Sequence, residues 1–224
     1  MNRRTLLLLL ATTKQSQQFD RKFPATAPSI DIAIPNGSIT VRASNRNDIH
    51  VRADIEYSAS IPEDLQLAMR EVRLEPRLDG DTFRIQVETP DNRRWTHYSY
   101  RHNLQVDLPS TARLIVRAIN GNVDIAYITP PTKDIYVKNT NGEIALAFPS
   151  PLHADFQMTT RNGNIFTAFD MRNIPGKADT QVTDNGMKRI VSRNRYAGGR
   201  VGNGGVAVQL EGFNGDIRIL DRKA

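Results

Sequence analysis

The stretches "RAINGNVDIA" (residues 117–126), "KNTNGEIALA" (138–147) and "TTRNGNIFTA" (159–168) share one Asn-Gly dipeptide that returns every 21 residues. With each Asn as origin, apolar side chains stand four and six residues before it: Leu114 and Val116, Ile135 and Val137, Phe156 and Met158. Three, five and seven residues after it stand Val123, Ile125 and Tyr127, then Ile144, Leu146 and Phe148, then Ile165, Thr167 and Phe169. Alternation with period two on both sides of the dipeptide means two strands, each with one buried face. The dipeptide is the turn between them, because Asn and Gly tolerate backbone conformations that other residues resist.

The same frame fits at both ends of the chain. Ile30, Ile32 and Ile34 precede Asn36-Gly37, with Ile39 and Val41 after it. Val208 and Leu210 precede Asn214-Gly215, with Ile217 and Ile219 after it. Asn36 lies four periods before Asn120, so the unit is expected to run through the middle with its dipeptide replaced, Asp79-Gly80 marking one place. Asn185-Gly186 fits poorly, because Lys188 takes an apolar position.

Two architectures satisfy this frame, both all-β. In a single-stranded β-helix, or β-solenoid, each coil of about 21 residues stacks on the last and its asparagines align in a hydrogen-bonded ladder. In the other, every Asn-Gly closes a two-residue hairpin and the hairpins stack. The constant step favours the solenoid, since a stacked coil penalises insertions that a meander tolerates. The ten turn residues Asn36, Gly37, Asn120, Gly121, Asn141, Gly142, Asn162, Gly163, Asn214 and Gly215 are then structural.

One segment breaks the β pattern. Ser60–Val72 carries a Ser60/Glu63 capping box, Pro62 in the first turn, and Ile61, Leu65, Met69 and Val72 along one face. This predicts one short helix closing an exposed sheet edge or solenoid end.

The 224 residues suit one domain, taken as 23–224, and 39% hydrophobic with 24% charged residues is the composition of a folded protein. Residues 1–22 read as a signal peptide or flexible N-terminus: Arg3 and Arg4, then Leu6–Leu10, then a polar exit. That segment holds +4 of the net charge of +6, which leaves little excess on the folded part and argues against nucleic acid as a partner. No apolar run approaches the length of a membrane-spanning helix. The absence of cysteine removes disulfides, thiol nucleophiles and zinc–cysteine sites.

The order of features, from "NGSITV" through the short helix, "VRLEPRLDGDTFRIQVETP", "LQVDLPSTARLIVRAINGNVDI" and the closing "GNGGVAVQLEGFNGDIRIL", resembles the bacterial putative-adhesin family of β-strand-repeat domains of unknown function. The resemblance covers about residues 28–220. It implies a β-helix-like fold in an exported protein, periplasmic or at the cell surface, and it defines no catalytic residues.

The search for chemistry yields little. His50, His97, His102 and His153 stand in no metal-binding spacing, and no nucleophile elbow, phosphate loop or dinucleotide fingerprint occurs. No cofactor and no metal are expected. Asp124, Glu143 and Asp216 are the carboxylates a glycosidase reading would use, but outward positions after the turns suit solvated side chains better. The segment "NRRWTHYSYRHN" (92–103) collects aromatic and cationic side chains, and makes Trp95, Tyr98 and Arg101 the candidate partner-binding loop. The expected role is a non-enzymatic exported binding surface at the bacterial envelope, for an envelope protein or a surface glycan. An envelope scaffold or stress-response accessory protein is the second reading, and a carbohydrate-active β-helix enzyme the third.

Overall fold

The structure, a computed structural model, describes residues 13–89, 97–174, 180–184, 189–193 and 195–222. In chain order the first strands are β1 (Thr13–Pro24), β2 (Ser29–Asn36), β3 (Ile39–Ser44) and β4 (Asp48–Ala59), followed by helix α1 (Pro62–Glu71). Then come β5 (Arg73–Asp79), β6 (Thr82–Glu88), β7 (Tyr98–Pro109), β8 (Arg113–Asn120), β9 (Val123–Tyr127), β10 (Ile135–Asn141) and β11 (Ile144–Pro149). The last are β12 (Ala154–Asn162), β13 (Ile165–Thr167), β14 (Arg172–Asn173), β15 (Thr180–Asp184), β16 (Arg189–Arg193), β17 (Arg195–Val201), β18 (Val206–Asn214) and β19 (Ile217–Arg222).

The chain is all-β apart from α1. A first sheet runs β14-β17-β12-β18-β10-β8-β2-β6-β5, and a second runs β1-β4-β7-β3-β9-β11-β19-β13. Both mix parallel and antiparallel pairs, and neither closes into a barrel. The strands before each Asn-Gly lie in the first sheet and those after it in the second, so each dipeptide carries the chain from one sheet to the other. The hairpin alternative therefore fails: flanking strands never pair with each other. Asp79-Gly80 does close a hairpin, between β5 and β6, with Gly80 at φ 57°.

The order of the rungs also differs from a sequential 21-residue coil. The strands ending at Asn36, Asn120, Asn141, Asn214 and Asn162 are neighbours in that order, all parallel and in register. The Asn36 rung rests directly on the Asn120 rung; of the segment between them, β6 and β7 stack parallel on β2 and β3 as a rung without the dipeptide, while β4, α1 and β5 lie outside the repeat. The C-terminal rung slides between the Asn141 and Asn162 rungs. Every rung presents the same inward columns, so the apolar pattern fixes register without fixing the order of stacking.

Those columns are the core. Ile30, Ile32, Leu114, Val116, Ile135, Val137, Val208, Leu210, Phe156 and Met158 from the first sheet face Ile39, Val41, Val123, Ile125, Ile144, Leu146, Ile217 and Ile219 from the second, and all are buried. At about 1.5–3 kcal/mol for each large apolar side chain, this burial is the main force holding the sheets together. Tyr127 stacks on Phe148 at 5.4 Å, and Phe148 meets Phe156 edge-on at 5.9 Å.

The helix lies on β4, β7 and β1, across a sheet face and not along an edge. It buries Leu65 and Ala68, with Val72 just beyond its end, and Tyr57 donates to the Val72 carbonyl at 3.0 Å. The expected capping box is absent. Ile61 occupies the N-cap without a side-chain bond and remains 46% exposed, because Pro62 begins the helix one residue later than the box requires. At the N-terminus, β1 pairs with β4 along its whole length, so residues 13–22 belong to the second sheet. Residues 1–12 lie outside the described residues.

Candidate binding surface

The Asn-Gly corners form two columns on one side of the stack. Asn162 Nδ2 donates to Asn214 Oδ1 (2.8 Å), Asn214 to Asn141 (2.7 Å), Asn141 to Asn120 (2.8 Å) and Asn120 to Asn36 (2.8 Å). The corner amides run the opposite way: Gly37, Gly121, Gly142 and Gly215 donate to the carbonyls of Asn120, Asn141, Asn214 and Asn162 at 2.8–3.1 Å. These glycines sit at φ 128°, 131°, 132° and 143°. A Cβ on any of them would land on backbone, the Gly121 carbonyl in the case of Gly142. Glycine is required twice over, by conformation and by close approach. Inside the corner, buried Asn139 and Thr160 donate to the carbonyls of Gly121 and Gly215.

On this frame the outward side chains of the second sheet fall into rows, and two rows build a patch around Arg218. In the row four residues beyond the Asn, Asp124 of β9, Ala145 of β11, Arg218 of β19 and Phe166 of β13 are neighbours in register. Two residues further on stand Ala126, Ala147 and Leu220. Phe166 is 48% exposed and Leu220 43%. The Arg218 guanidinium lies over the Phe166 ring at 5.3 Å, with Nε 3.0 Å from Glu143 Oε2 and Nη2 3.6 Å from Asp216 Oδ2. Asp216 also accepts the Asn164 amide at 2.8 Å. Partial burial, with the negative charge of Glu143 second, holds the Asp124 carboxyl above the usual carboxylate range.

The three carboxylates named from sequence are thus brought onto one face, two of them neutralised by one arginine. The guanidinium is fixed by three groups while its surroundings are small alanines, which leaves a flat, accessible floor beside a raised rim of Phe166 and Leu220. Sequence reading missed Phe166, Arg218 and Leu220. The available signal was an apolar residue in the outward phase of a strand, as at Phe166 and Leu220. On the first sheet, Phe213 repeats the arrangement with Arg161 over its ring at 5.1 Å.

The candidate loop does not assemble. Trp95 lies outside the described residues. Tyr98 and Arg101 stand on opposite faces of β7, because three residues is an odd step along a strand. Tyr98 packs inward and donates to Glu71 Oε2 of α1 at 3.0 Å, and burial first, then that contact, push its hydroxyl up to about 12. Tyr98 therefore ties the helix to the sheet, and Arg101 remains exposed.

A second charged cluster ties β1 to its neighbours. Asp107 meets Arg52 at 2.8 Å, Arg46 at 3.5 Å and His50 Nδ1 at 3.8 Å, while His50 Nε2 reaches Asp20 at 2.6 Å. A shallow open depression beside it is lined by Gln18, Asp20, Arg52, Asp54, Asn103 and Gln105 among others. Among the described residues no group of His, Asp and Glu has the arrangement of a metal site, and no helix is long and apolar enough to cross a membrane.

No protein-family model matches the sequence, and no curated protein matches it either. Solved structures similar to it include two described as adhesion proteins. One is described as a putative cell adhesion protein from Clostridium sporogenes, with 8% identity over 95% of this chain and 100% of that one, at a TM-score of 0.48. The other is described as a putative adhesin from Bacteroides fragilis, with 9% identity over 91% and 97% of the two chains, at a TM-score of 0.30.

Proposed function

We propose that the protein is a non-enzymatic binding module of the bacterial cell envelope, exported and periplasmic or surface-located. Its partner, an envelope protein or a surface glycan, docks on the outer face of β9, β11, β19 and β13. The five rungs are read as coils of a flattened β-solenoid in which the C-terminal coil has entered the stack out of sequence. The mechanism is surface complementarity without a bond-making step.

One observation carries the reading: exposed Phe166 and Leu220 flank an arginine locked by Glu143 and Asp216 over a floor of alanines. Exposed aromatic and arginine side chains with little conformational freedom are the anchors that dominate binding energy in protein interfaces. The corner ladder holds the rungs in register, so little ordering entropy opposes docking.

The test is co-sedimentation of the purified protein with isolated envelopes of the source bacterium. The triple variant Phe166→Ala, Arg218→Ala, Leu220→Ala should bind at least about tenfold more weakly while unfolding at a similar temperature. Unchanged binding removes the patch from the proposal. Protease treatment of intact and lysed cells tests location: digestion on intact cells supports a surface position, and survival until lysis is inconsistent with one. Release of reducing ends from envelope glycans, lost in Asp124→Asn, would replace binding by hydrolysis.

A further inference from the structure

The two sheets have four edges among the described residues, and three of them resist pairing with another chain. β14 has two residues, β13 has three, and β5 carries Pro76 at its centre. Short edge strands and edge prolines are the usual protection of sheet borders. β1 is different. It is a 12-residue border strand with no proline before Pro24, paired on one side with β4 and exposed along most of its length. Its other row of backbone N–H and C=O groups runs along the border of the second sheet.

We propose that this border pairs antiparallel with the same strand of a second copy of the chain, about a two-fold axis through Gln17. Antiparallel pairing of identical borders requires an axis perpendicular to the sheet, and opposed residues must then share a face. The residue numbers of each opposed pair therefore sum to an even value. With Gln18 on the axis, Lys14 would oppose Lys22 twice, which is repulsive. With Phe19 on the axis, no opposite charges meet. With Gln17 on the axis, Lys14 of each copy opposes Asp20 of the other, Gln15 opposes Phe19, Ser16 opposes Gln18 and Thr13 opposes Arg21. The charge pattern selects this register, since opposite charges directly across a strand pair are favourable and like charges are not.

Lys14 and Asp20 lie on the same face as Ser58 and Arg52, their partners on β4. The bridge between copies therefore forms on the outer face, beside the Asp20–His50 contact. Two eight-stranded sheets become one of sixteen, and the perpendicular axis puts both outer faces on the same side. A dimer would then present two copies of the Arg218 patch in one direction, which raises avidity for a repetitive partner. The pairing itself does not depend on that patch.

Sedimentation equilibrium of the full chain tests the register by charge exchange. The wild type should dimerise. Lys14→Glu alone and Asp20→Lys alone should each weaken association at least tenfold, because each places like charges opposite one another twice. An equimolar mixture of the two variants should restore dimers, since both contacts become attractive. The protein has no cysteine, so Gln17→Cys adds a single thiol on the axis, where opposed Cα atoms of an antiparallel pair are about 4.5–5.5 Å apart and within disulfide reach. It should cross-link to a dimer on oxidation. A wild type that stays monomeric, association that survives both charge reversals, or a mixture that does not re-associate would each overturn the proposal.

Discussion

His102 is the group whose burial can be read most directly as pH-dependent stability. It lies on the inward face of β7, fully buried, with the rings of Tyr57 and Tyr100 edge-on at 6.3 and 5.7 Å. Neither ring nitrogen has a hydrogen-bond partner among the described residues. Burial alone holds the imidazole pKa down to about 4, against 6.5 for the free side chain. The unfolded chain therefore takes up a proton first as the pH drops. The contribution of neutral His102 is fully present above about pH 6.5, is lost progressively toward pH 4, and stays constant below. A shift of this size corresponds to about 3 kcal/mol, a large part of the 5–15 kcal/mol stability of a typical domain.

His102→Leu isolates this effect from the titrating carboxylates. Urea unfolding of both proteins between about pH 7.5 and pH 4 should give curves that diverge, the variant gaining about 3 kcal/mol on the wild type across that interval. At the neutral end the two should differ by less than about 1.5 kcal/mol, since the replacement is apolar and of similar size. A constant difference between the curves, or a His102 ring resonance titrating near 6.5, would refute the reasoning.

The corners give two more expectations. Gly142→Ala should cost at least about 3 kcal/mol or prevent folding, because its Cβ meets the Gly121 carbonyl and its φ of 132° is strained for alanine. Gly80→Ala, at φ 57° with open space around it, should cost only about 1–2 kcal/mol by the same denaturation measurement. Asn141→Ala removes one donated and one accepted ladder bond and should cost about 1–2 kcal/mol. Asn162→Ala, at the end of the ladder with one such bond, should cost about half as much. Equal losses at the two sites would show that the ladder does not act bond by bond.

What the amino-acid sequence determined by itself was the content of each rung. Alternation at Leu114 and Val116, or Ile144 and Leu146, was enough to assign strands, inward columns and turn residues, because strand periodicity is local and one face must be dry. The glycines of the corners were legible for a similar reason, since a turn states its backbone requirement in its own residues. The asparagine ladder too follows from stacking identical corners.

Contacts that depend on which rung lies beside which were decided only by the tertiary structure. All five rungs carry interchangeable columns, so nothing local says that Asn214 stacks between Asn141 and Asn162, or that Asn36 rests on Asn120. The Arg218 patch inherits that ambiguity. Glu143 and Phe166 reach Arg218 from two different rungs only because β19 enters between β11 and β13. The same holds for β1, whose polar sequence reads as a leader's exit until twelve backbone pairings to β4 make it the border of a sheet. Local periodicity specifies an element and its buried face, whereas stacking order is set by long-range pairing, in which chemically equivalent edges compete and only the whole fold selects among them.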